Sequence, residues 1–496
     1  MGLPDLYPAQ VGSPYSTLAA PYTTGGATMS IVDATKLPDA PNIVCLAGAV
    51  AGEFRYTGKD GNILQGVAAL PGTPAATTWS AGTYAFRGIA AYDTNALQTR
   101  SMFATAPDLP NRVVYETDEA GNTLEIHQVY IPPFYGDGLP DANLNGVLFG
   151  DVWFDKYLAC QFDASNVSRG SVSANAPGTN GAASKPHVVP WTDINQGNAK
   201  QAIENRGGAA NRKSGTCTAL ADESASKFYV ADVTHLIGKR VYVTQAGVRY
   251  VRRVVRTGGN TTADPNAAKL LELYPALPAP ITAADTYEIL HYYLPGGYEW
   301  VSLYAWAYMN LYRHGLGWPQ GNTNWGKYHS DPRARVYEGL PDPVRPGYDG
   351  NAIARTLTGS GPLTWSLNGK ESGIWDLIGN CWEWCDLLVG TTADNTIDAE
   401  YPAAGTVLPS ADGYPASLYA PAPEGEYSLG AEVFAPTTLG SSNANYGGAY
   451  YWQATGRRAA IRGGGFSNGA LCSLASLSLG NAPSNVDTSI GFRGVC

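Results

Sequence analysis

The chain has 496 residues, of which 44% are hydrophobic and 15% are charged, and it contains 58 glycines and 34 prolines. Its formal net charge of -10 excludes the basic footprint that binding to nucleic-acid phosphates requires. Abundant glycine and proline with few charges are typical of turn-rich β structure. The N-terminal residues show no basic segment before an apolar run, and no run of about 18 apolar residues occurs, so we expect no signal peptide and no membrane insertion.

The first part of the chain alternates short β-type runs with turn signals. Residues 42–86 contain NIVCLAGAV, EFRYTGKDGNILQ and WSAGTYAF. Among them, the stretch Lys59-Asp60-Gly61-Asn62 predicts a hairpin, because glycine accommodates the positive φ of a tight turn. We therefore expect an N-terminal all-β attachment domain over residues 1–110.

A second β-rich stretch, residues 213–290, predicts a small β module inserted in a larger domain. The loop-like sequence NRGGAANRKSGTC marks its beginning. The sequence around Tyr287 parallels that around Tyr84, either as a second copy of one module or by chance. Basic residues of this stretch are expected on the solvated face of a strand pair, with an anion site as the alternative. They are Lys239, Arg240, Arg249, Arg252, Arg253 and Arg256.

Two segments have helical periodicity. In DINQGNAKQAIENRG, Ala199 and Ile203 share one side of a helix that Asp193 is expected to cap. In YEWVSLYAWAYMNLYRHG, apolar residues repeat at helical spacing from Trp300 to Leu311. Two helices among many strands predict an α+β chain.

The segment SGIWDLIGNCWEWCDLL carries three tryptophans and several side-chain oxygens. Asp376, Asn380, Glu383 and Asp386 predict a hydrogen-bonded turn under the tryptophans, with a Ca²⁺ site as the alternative. The seven cysteines form no Cys-x-x-Cys pair, and the six histidines lack ligand spacing. We therefore expect buried thiols, no metal site and no cofactor.

Near the C-terminus, the sequence GFSNG fits the Gly-x-Ser-x-Gly pattern of a nucleophile elbow around Ser467. That elbow requires a catalytic histidine later in the chain, and no histidine follows Ser467. The residues after Gly469 are also poor helix formers, whereas the elbow opens a helix. We therefore expect no catalytic serine.

Four aromatic and glycine-rich segments follow one another in the second half of the chain, namely PGGYEWVSLYAWAY, SGIWDLIGNCWEWCDLL, AAIRGGGFSNGA and SIGFRGVC. In this order they resemble the C-type lectin-like fold in the version shared by formylglycine-generating enzymes and by the variable proteins of diversity-generating retroelements, above all those that determine phage tropism. The resemblance implies a C-type lectin-like domain over residues 111–496, with residues 462–496 as its variable region. It also implies a structural framework of Trp375, Trp382, Trp384, Arg462 and Arg493.

In that family the final segment is rewritten at adenine-containing template codons, and the rewritten positions form the binding face. Carried onto this chain, the resemblance implies that the exchanged, ligand-binding positions are Ser467, Asn468, Leu471, Ser473, Ser478, Gly480, Asn481, Asn485, Val486, Asp487 and Ser489. Strand periodicity agrees, since Leu477 and Leu479 alternate with small or polar residues and every second residue from 485 to 489 is polar. We expect the exchanged set in solvent and the leucines in the core.

The resemblance implies a receptor-binding protein without enzymatic activity, located at a tail fibre or baseplate tip of a phage virion and made in the host cytoplasm. Its implied partners are a host cell-surface protein or glycan and other tail proteins, and relatives imply a homotrimer. One alternative is a formylglycine-generating-type oxidase, whose copper site uses two cysteines together with arginines. Here Cys472 is the single cysteine between the two glycine-arginine brackets, and no arginine lies there. The other alternative is a purely structural tail or baseplate protein.

Overall fold

The computed structural model describes residues 15–34, 42–47, 52–69, 73, 75, 77–81, 83–87, 106–219, 224–230, 233, 236–257, 269–323, 355–390, 395–418 and 426–496. The chain divides into two compact units, one of residues 1–107 with 310–317 and the other of residues 108–309 with 318–496. Among the described residues, strands greatly outnumber helices, which agrees with the β-rich part of the α+β prediction. None of the helices in this part of the chain is long and apolar enough to cross a bilayer.

The first unit consists of short antiparallel strands. Those described are β1 (Tyr15–Thr17), β2 (Tyr22–Thr23), β3 (Thr28–Ser30), β4 (Asn42–Ala47), β5 (Gly52–Tyr56), β6 (Gly58–Asp60), β7 (Ile63–Gln65), β8 (Ala68–Ala69), β9 (Thr78–Trp79) and β10 (Tyr84–Arg87). The largest sheet among them has the order β1-β10-β4-β5-β8. The predicted hairpin is confirmed, since β6 pairs with β7 around Gly61, whose φ is 56°. In the core, Phe54 packs edge-on against Tyr22 and Trp79.

The second unit begins with a sheet of order β11-β12-β15 and a small β13-β14 pair. These strands are β11 (Asn111–Thr117), β12 (Thr123–Ile131), β13 (Phe134–Tyr135), β14 (Leu148–Phe149) and β15 (Val152–Asp155). The main chains of Trp153 and Cys496 exchange two hydrogen bonds of 3.0 and 2.9 Å. The C-terminal residues are therefore fixed against the beginning of this unit.

A seven-stranded sheet of order β16-β22-β19-β20-β21-β18-β17 occupies the stretch predicted as an inserted module. Its strands are β16 (Arg212–Thr216), β17 (Thr218–Ala219), β18 (Lys227–Tyr229), β19 (Arg240–Gln245), β20 (Val248–Thr257), β21 (Leu270–Tyr274) and β22 (Thr286–Leu290). In this sheet the first strand, β16, pairs with the last, β22, which in turn pairs with the β19-β20 hairpin. The largest sheet of the first unit has the same arrangement, with β1 beside β10 and β10 beside the β4-β5 hairpin. The shared order favours two copies of one module over a chance parallel in sequence.

The prediction of a solvated basic face on this module is wrong for Arg240, Arg252 and Arg253, which are at most 4% exposed. Arg240 lies 2.9 Å from a Glu299 oxygen and 2.8 Å from an Asp386 oxygen, and Arg253 lies 3.3 Å from the other Glu299 oxygen. These acidic partners come from elements far along the chain, so the local sequence pattern could not reveal them. The arginines join the module to the rest of its unit.

The helices among the described residues are α1 (Gln196–Glu204), α2 (Gly297–Asn310) and α3 (Leu429–Val433). The predicted apolar side of α1 is confirmed, because Ala199 and Ile203 are fully buried. The predicted cap is wrong: Asn195 caps the helix by accepting a 2.9 Å hydrogen bond from the Asn198 N–H. Asp193 instead adopts a φ of 58° before the helix begins.

The C-terminal sheet has the order β26-β28-β27-β23-β29 and includes strands of residues 462–496, the segment expected to vary. The remaining strands of the described chain are β23 (Trp382–Val389), β24 (Tyr414–Leu418), β25 (Pro436–Gly440), β26 (Tyr451–Gln453), β27 (Arg458–Arg462), β28 (Leu477–Asn481) and β29 (Ile490–Gly491). The predicted core role of Leu477 and Leu479 is confirmed, since both are buried on β28. On β23, the Trp384 indole N–H donates to the Ile194 carbonyl oxygen at 2.8 Å, which links the sheet to the segment just before α1.

Candidate ligand-binding site

The C-terminal bracket, GFRG, is fixed through Arg493. Its guanidinium donates to both oxygens of the Glu383 carboxylate, at 2.5 and 2.7 Å. It also donates to the carbonyl oxygens of Asp155 and Trp375, each at 3.0 Å. Both members of the ion pair are fully buried. Because a buried arginine requires this degree of pairing, Arg493 fits the framework role expected for it.

The N-terminal bracket, RGGGF, is a tightly packed turn. Arg462 donates to the carbonyl oxygens of Val433 and Phe434, at 3.1 and 2.6 Å. Gly464 has a φ of 89°, and a Cβ atom added there would lie 2.4 Å from the Cys472 sulfur. Only glycine fits this position without displacing its neighbour. The turn therefore fixes the position of the main chain where the segment after it begins.

Between the brackets, one face of the C-terminal sheet has a gap in its row of large side chains. Trp452, Ser478 and Ile461 occupy paired positions on β26, β28 and β27. Paired side chains of neighbouring strands lie on the same face of a sheet. Because serine is much smaller than the tryptophan and isoleucine beside it, a depression forms above Ser478. Trp382 and Ile490, paired on β23 and β29, belong to the same depression.

We call this depression the hollow. Its volume is about 170 Å³, below the roughly 300 Å³ of pockets that enclose a drug-sized ligand. It therefore accommodates one ring or side chain of a larger ligand. Its described lining residues are Trp382, Trp452, Ile461, Asn468, Ser478, Asn481, Asp487, Ser489 and Ile490. Of the positions expected to be exchanged, the structure brings together Asn468, Ser478, Asn481, Asp487 and Ser489.

Internal hydrogen bonds orient three polar side chains on the rim of the hollow. Asn468 Oδ1 accepts from a main-chain N–H at 2.9 Å, and Asn481 Oδ1 accepts from the Asn485 side-chain amide at 3.1 Å. Asp487 Oδ1 accepts from the N–H and the hydroxyl of Ser489, at 2.7 and 2.6 Å. Among the described residues, none bonds to Asn468 Nδ2, Asn481 Nδ2 or Asp487 Oδ2. The rim thus offers two amide donors and one carboxylate acceptor on oriented side chains.

Residues 482–489 have exposed or half-buried side chains on a main chain that is held in place. The Asp487 carbonyl oxygen accepts from the Asp193 N–H at 3.1 Å, and the Pro483 carbonyl oxygen accepts from the Gln196 N–H at 3.2 Å. The carbonyl oxygen of Ser489 accepts from the β23 main chain at 2.8 Å. Asp193, whose φ is positive, is thus one of the residues whose main chain holds this loop in place. None of these bonds depends on the loop's own side chains.

The expectation that all exchanged positions lie in solvent is wrong for Ser473 and Ser478, which are buried. The Ser473 hydroxyl donates to the Tyr446 carbonyl oxygen at 2.6 Å, and Ser478 lies on the floor of the hollow. The predicted strand alternation over residues 485–489 is also wrong, because residues 482–489 contain no strand and have turns at 483–484 and 488–489. The exposed positions are Ser467, Gly480, Asn485, Val486 and Asp487, and the half-buried ones are Asn468, Leu471, Asn481 and Ser489.

Sequence reasoning missed Trp452 and Ile461 as lining residues and assigned Trp382 to the framework alone. Trp382 is only 7% exposed, yet it lines the hollow and packs edge-on against Trp452 with ring centroids 5.3 Å apart. The sequence signal that could have revealed Trp452 is the strand YYWQ, in which successive side chains point to opposite faces, so that Trp452 points away from the buried Tyr451. The parallel pairing of β26 with β28, which puts Trp452 beside Ser478, leaves no local mark in the sequence.

The chemistry of Cys472 does not suit a copper-binding thiolate. Burial raises the pKa of this thiol to about 12, and its sulfur lies 3.4 Å from the Gly465 carbonyl oxygen. The thiolate, which is the form that binds metals and attacks substrates, is therefore disfavoured at neutral pH. Within the described ranges, no group of three His, Cys, Asp or Glu side chains is arranged to hold a metal ion.

Each of the four side chains considered for Ca²⁺ has at least one protein partner, although the buried Asp376 Oδ1 has none among the described residues. Glu383 binds Arg493, and Asp386 lies 3.0 Å from the Lys200 ammonium nitrogen. Asp376 Oδ2 accepts from a main-chain N–H at 2.8 Å. These contacts favour the hydrogen-bonded interpretation of this segment over a calcium site.

Neither a protein-family model nor a curated protein matches the sequence. Among solved structures, the chain is similar to Treponema denticola variable protein 1, with 13% identity and a TM-score of 0.29 over 78% of this chain and 98% of that chain. It is also similar to the P3c and I1 variants of the Major Tropism Determinant, with 14% and 13% identity and TM-scores of 0.18 and 0.14. Both cover 96% of this chain and 83% of the other chain. TM-scores of this size carry no argument about fold or function.

Proposed function

We propose that the chain is a receptor-binding variable protein whose C-terminal segment is exchanged by a diversity-generating retroelement. In this proposal residues 111–496 form a C-type lectin-like domain, and the hollow is its ligand-binding site. The supporting observation is that five positions expected to be exchanged, from two separate loops and a strand, line one hollow. The hollow combines two tryptophan side chains in its lining with a few oriented polar groups, which is the usual composition of a binding site.

The biological setting is part of the proposal. The protein would lie at a tail fibre or baseplate tip of a phage virion, with residues 1–110 attaching it to other tail proteins. Its ligand would be a host cell-surface protein or glycan. A homotrimer would present three copies of a shallow site, so weak binding at each would be strengthened by a high effective concentration. We assign no catalytic step to Cys472 or Ser467.

A cell-binding experiment tests the proposed site. Fluorescently labelled protein is applied to a panel of intact bacterial strains, and bound label is measured by flow cytometry. The variant Asn481→Ala/Asp487→Ala/Ser489→Ala removes three polar rim groups, each worth about 1 kcal/mol in a formed contact. We expect at least a tenfold rise in the half-saturating concentration on strains that the wild-type protein labels.

The matched control is Asp137→Ala/Ser441→Ala/Ser442→Ala, which removes three exposed polar side chains outside the hollow. This variant should label cells like the wild-type protein, and both variants should keep the wild-type melting temperature. Undiminished labelling by the rim variant would contradict a binding role for the hollow. If the wild-type protein labels none of the strains, the structural tail-protein interpretation is favoured instead.

Exchange of the segment is tested separately by sequencing codons 462–496 of the gene in many descendants of one phage. Substitutions should concentrate at the eleven expected positions and spare Arg462 and Arg493. A near-copy of these bases, with adenines at the divergent positions, should lie beside a reverse-transcriptase gene. Substitutions spread evenly over these codons would contradict exchange by a retroelement.

A further inference from the structure

Four aromatic side chains form a continuous surface that starts inside the hollow and extends away from it. The ring centroids of Trp382 and Trp452 are 5.3 Å apart, those of Trp452 and Tyr450 are 4.7 Å apart, and those of Tyr450 and Tyr414 are 4.9 Å apart. Trp382 is nearly buried, whereas the other three rings are half-buried and so present part of their surface to solvent. We call these four residues the aromatic strip.

Main-chain contacts hold the strip in place. Tyr450 and Trp452 are two residues apart, so both face away from Tyr451, which is fully buried. Tyr414 is placed beside them because the neighbouring Gly413 exchanges two main-chain hydrogen bonds with Tyr451, at 3.0 and 2.8 Å. All four rings lie outside residues 462–496. If exchange is confined to that segment, the strip is the same in every version of the protein.

The groups around the strip select the chemistry of its ligand. Among the described residues that line the hollow, none is a lysine or arginine, so the site lacks the cations that bind phosphate, sulfate or carboxylate groups. The rim instead supplies amide donors and a carboxylate acceptor. No described residue hydrogen-bonds to the phenol hydroxyl of Tyr414 or Tyr450, so both can bind ligand hydroxyls. This set matches an uncharged molecule with many hydroxyl groups.

A peptide chain fits this surface less well. Peptides commonly bind by adding a strand to an exposed sheet edge. Here β26 is the edge strand of its sheet, and Gly413 already pairs with its first residue, Tyr451. A sugar ring needs no such edge, because its C–H face packs on an aromatic ring while its hydroxyls point to the side.

We propose that the aromatic strip and the hollow form one binding site for a neutral, hexose-containing glycan of a cell surface. One sugar ring stacks on Trp452 and Tyr450, and a neighbouring residue of the glycan enters the hollow. The strip supplies constant binding, while exchangeable rim positions such as Asn481 and Asp487 select among hydroxyl arrangements. This inference rests on the proposed function in that it assigns the ligand class of the same site.

Immobilised oligosaccharides test the ligand class. The labelled full-length protein is applied to neutral hexose oligosaccharides and to their sialylated and sulfated counterparts, with EDTA present. We expect retention by at least one neutral oligosaccharide and none by charged forms alone. EDTA should not matter, since Asp487 is the single carboxylate among the described lining residues and one carboxylate does not make a calcium site.

Variants of the strip test the stacking. Trp452→Leu and Tyr450→Leu should each weaken glycan binding at least tenfold, whereas Trp452→Phe, which keeps a ring, should retain most of it. The control Tyr115→Leu removes an aromatic side chain that is 68% exposed on β11 and should bind like the wild-type protein. Melting temperatures show whether each variant is folded. A folded Trp452→Leu variant with wild-type binding, or no neutral glycan retained, would overturn the inference.

Treated cells separate this inference from the proposed function. Periodate, which cleaves vicinal diols of sugars, should abolish labelling, whereas protease treatment should not. Labelling that survives periodate and is lost after protease identifies a protein receptor and overturns the glycan inference, while the receptor-binding function stands. If the strip variants lose glycan binding but the rim variant binds normally, the glycan inference stands and the role of the exchanged rim fails.

Discussion

The two halves of the segment between the brackets differ in what holds them. From Cys472 to Leu479 every residue is buried, and the hydroxyls of Ser473 and Ser476 bond to main-chain carbonyl oxygens. From Gly480 to Ser489 no side chain is buried, and main-chain bonds hold the loop. A position is therefore free to change where main-chain hydrogen bonds hold it in place. It is constrained where the side chain itself provides these bonds.

The largest expected effect on stability is at Arg493, in the bracket that follows the segment. Arg493→Ala should lower the free energy of unfolding by about 3 to 5 kcal/mol, because it leaves the buried Glu383 carboxylate without its partner. The measurement is urea unfolding followed by tryptophan fluorescence. The double variant Arg493→Met/Glu383→Leu removes both charges and should be more stable than Arg493→Ala. A single variant as stable as the wild type would show that the bracket does not hold the segment.

A smaller effect is expected from acid, acting on Asp386 of β23. Burial alone would raise the pKa of Asp386, but Lys200 and Arg240 outweigh it and hold the pKa at about 2, below the ordinary 3.8. Since this folded-state pKa is depressed, its contribution is present above pH 4 and is lost as the pH falls from 4 to 2. The loss should be about 2 kcal/mol.

Unfolding free energies measured at pH 4 and pH 2 check this expectation. Asp386→Asn, which does not titrate in this range, should lose about 2 kcal/mol less than the wild type between the two pH values. Equal losses in the two proteins would show that other carboxylates govern the acid sensitivity. In that case the ion pairs of Asp386 would not be what makes the framework more sensitive to acid than the exposed loop.

The sequence reveals local patterns of the site but not its long-range pairings. The core leucines of β28 and the apolar side of α1 follow from residue spacing, and the structure has them. The framework arginines of the brackets are implied by the family resemblance, and both are buried. The hollow depends on β26 pairing in parallel with β28, which places Trp452 beside Ser478. Nothing near either residue encodes that pairing. Polar alternation over residues 485–489 also occurs in turns, so it could not distinguish a loop from a strand.

The buried arginines show the same limit. A run of basic residues on neighbouring strands commonly lies in solvent, and the sequence of the module contains no sign to the contrary. Arg240 and Arg253 are buried because Glu299 is supplied by α2, far along the chain. Charge compensation between distant elements is a property of the tertiary fold, and a single sequence does not display it.

Within the segment, Ser473 provides a sharper test of the buried half. Ser473→Ala should cost about 1 kcal/mol, because its hydroxyl donates to the Tyr446 carbonyl oxygen and accepts from the Ala475 N–H. Urea unfolding of the variant measures this cost. Ser467→Ala, an exposed position of the same expected set, serves as the control and should be neutral. A Ser473→Ala variant as stable as the control would remove the distinction between the two halves.

The smallest effect is expected at Asn485, where side chain and main chain can be tested separately. Its side chain is exposed and, among the described residues, hydrogen-bonds to the half-buried Asn481 alone, so Asn485→Tyr should change the free energy of unfolding by no more than about 0.5 kcal/mol. Its N–H donates to the Ala482 carbonyl oxygen at 3.0 Å, and Asn485→Pro removes that donor. The proline variant should therefore be less stable than the tyrosine variant by about 1 kcal/mol. Parallel urea titrations compare the two. If the tyrosine variant were as damaged as the proline variant, side chains would hold the exposed loop, and its positions would be no freer to change than those of the buried half.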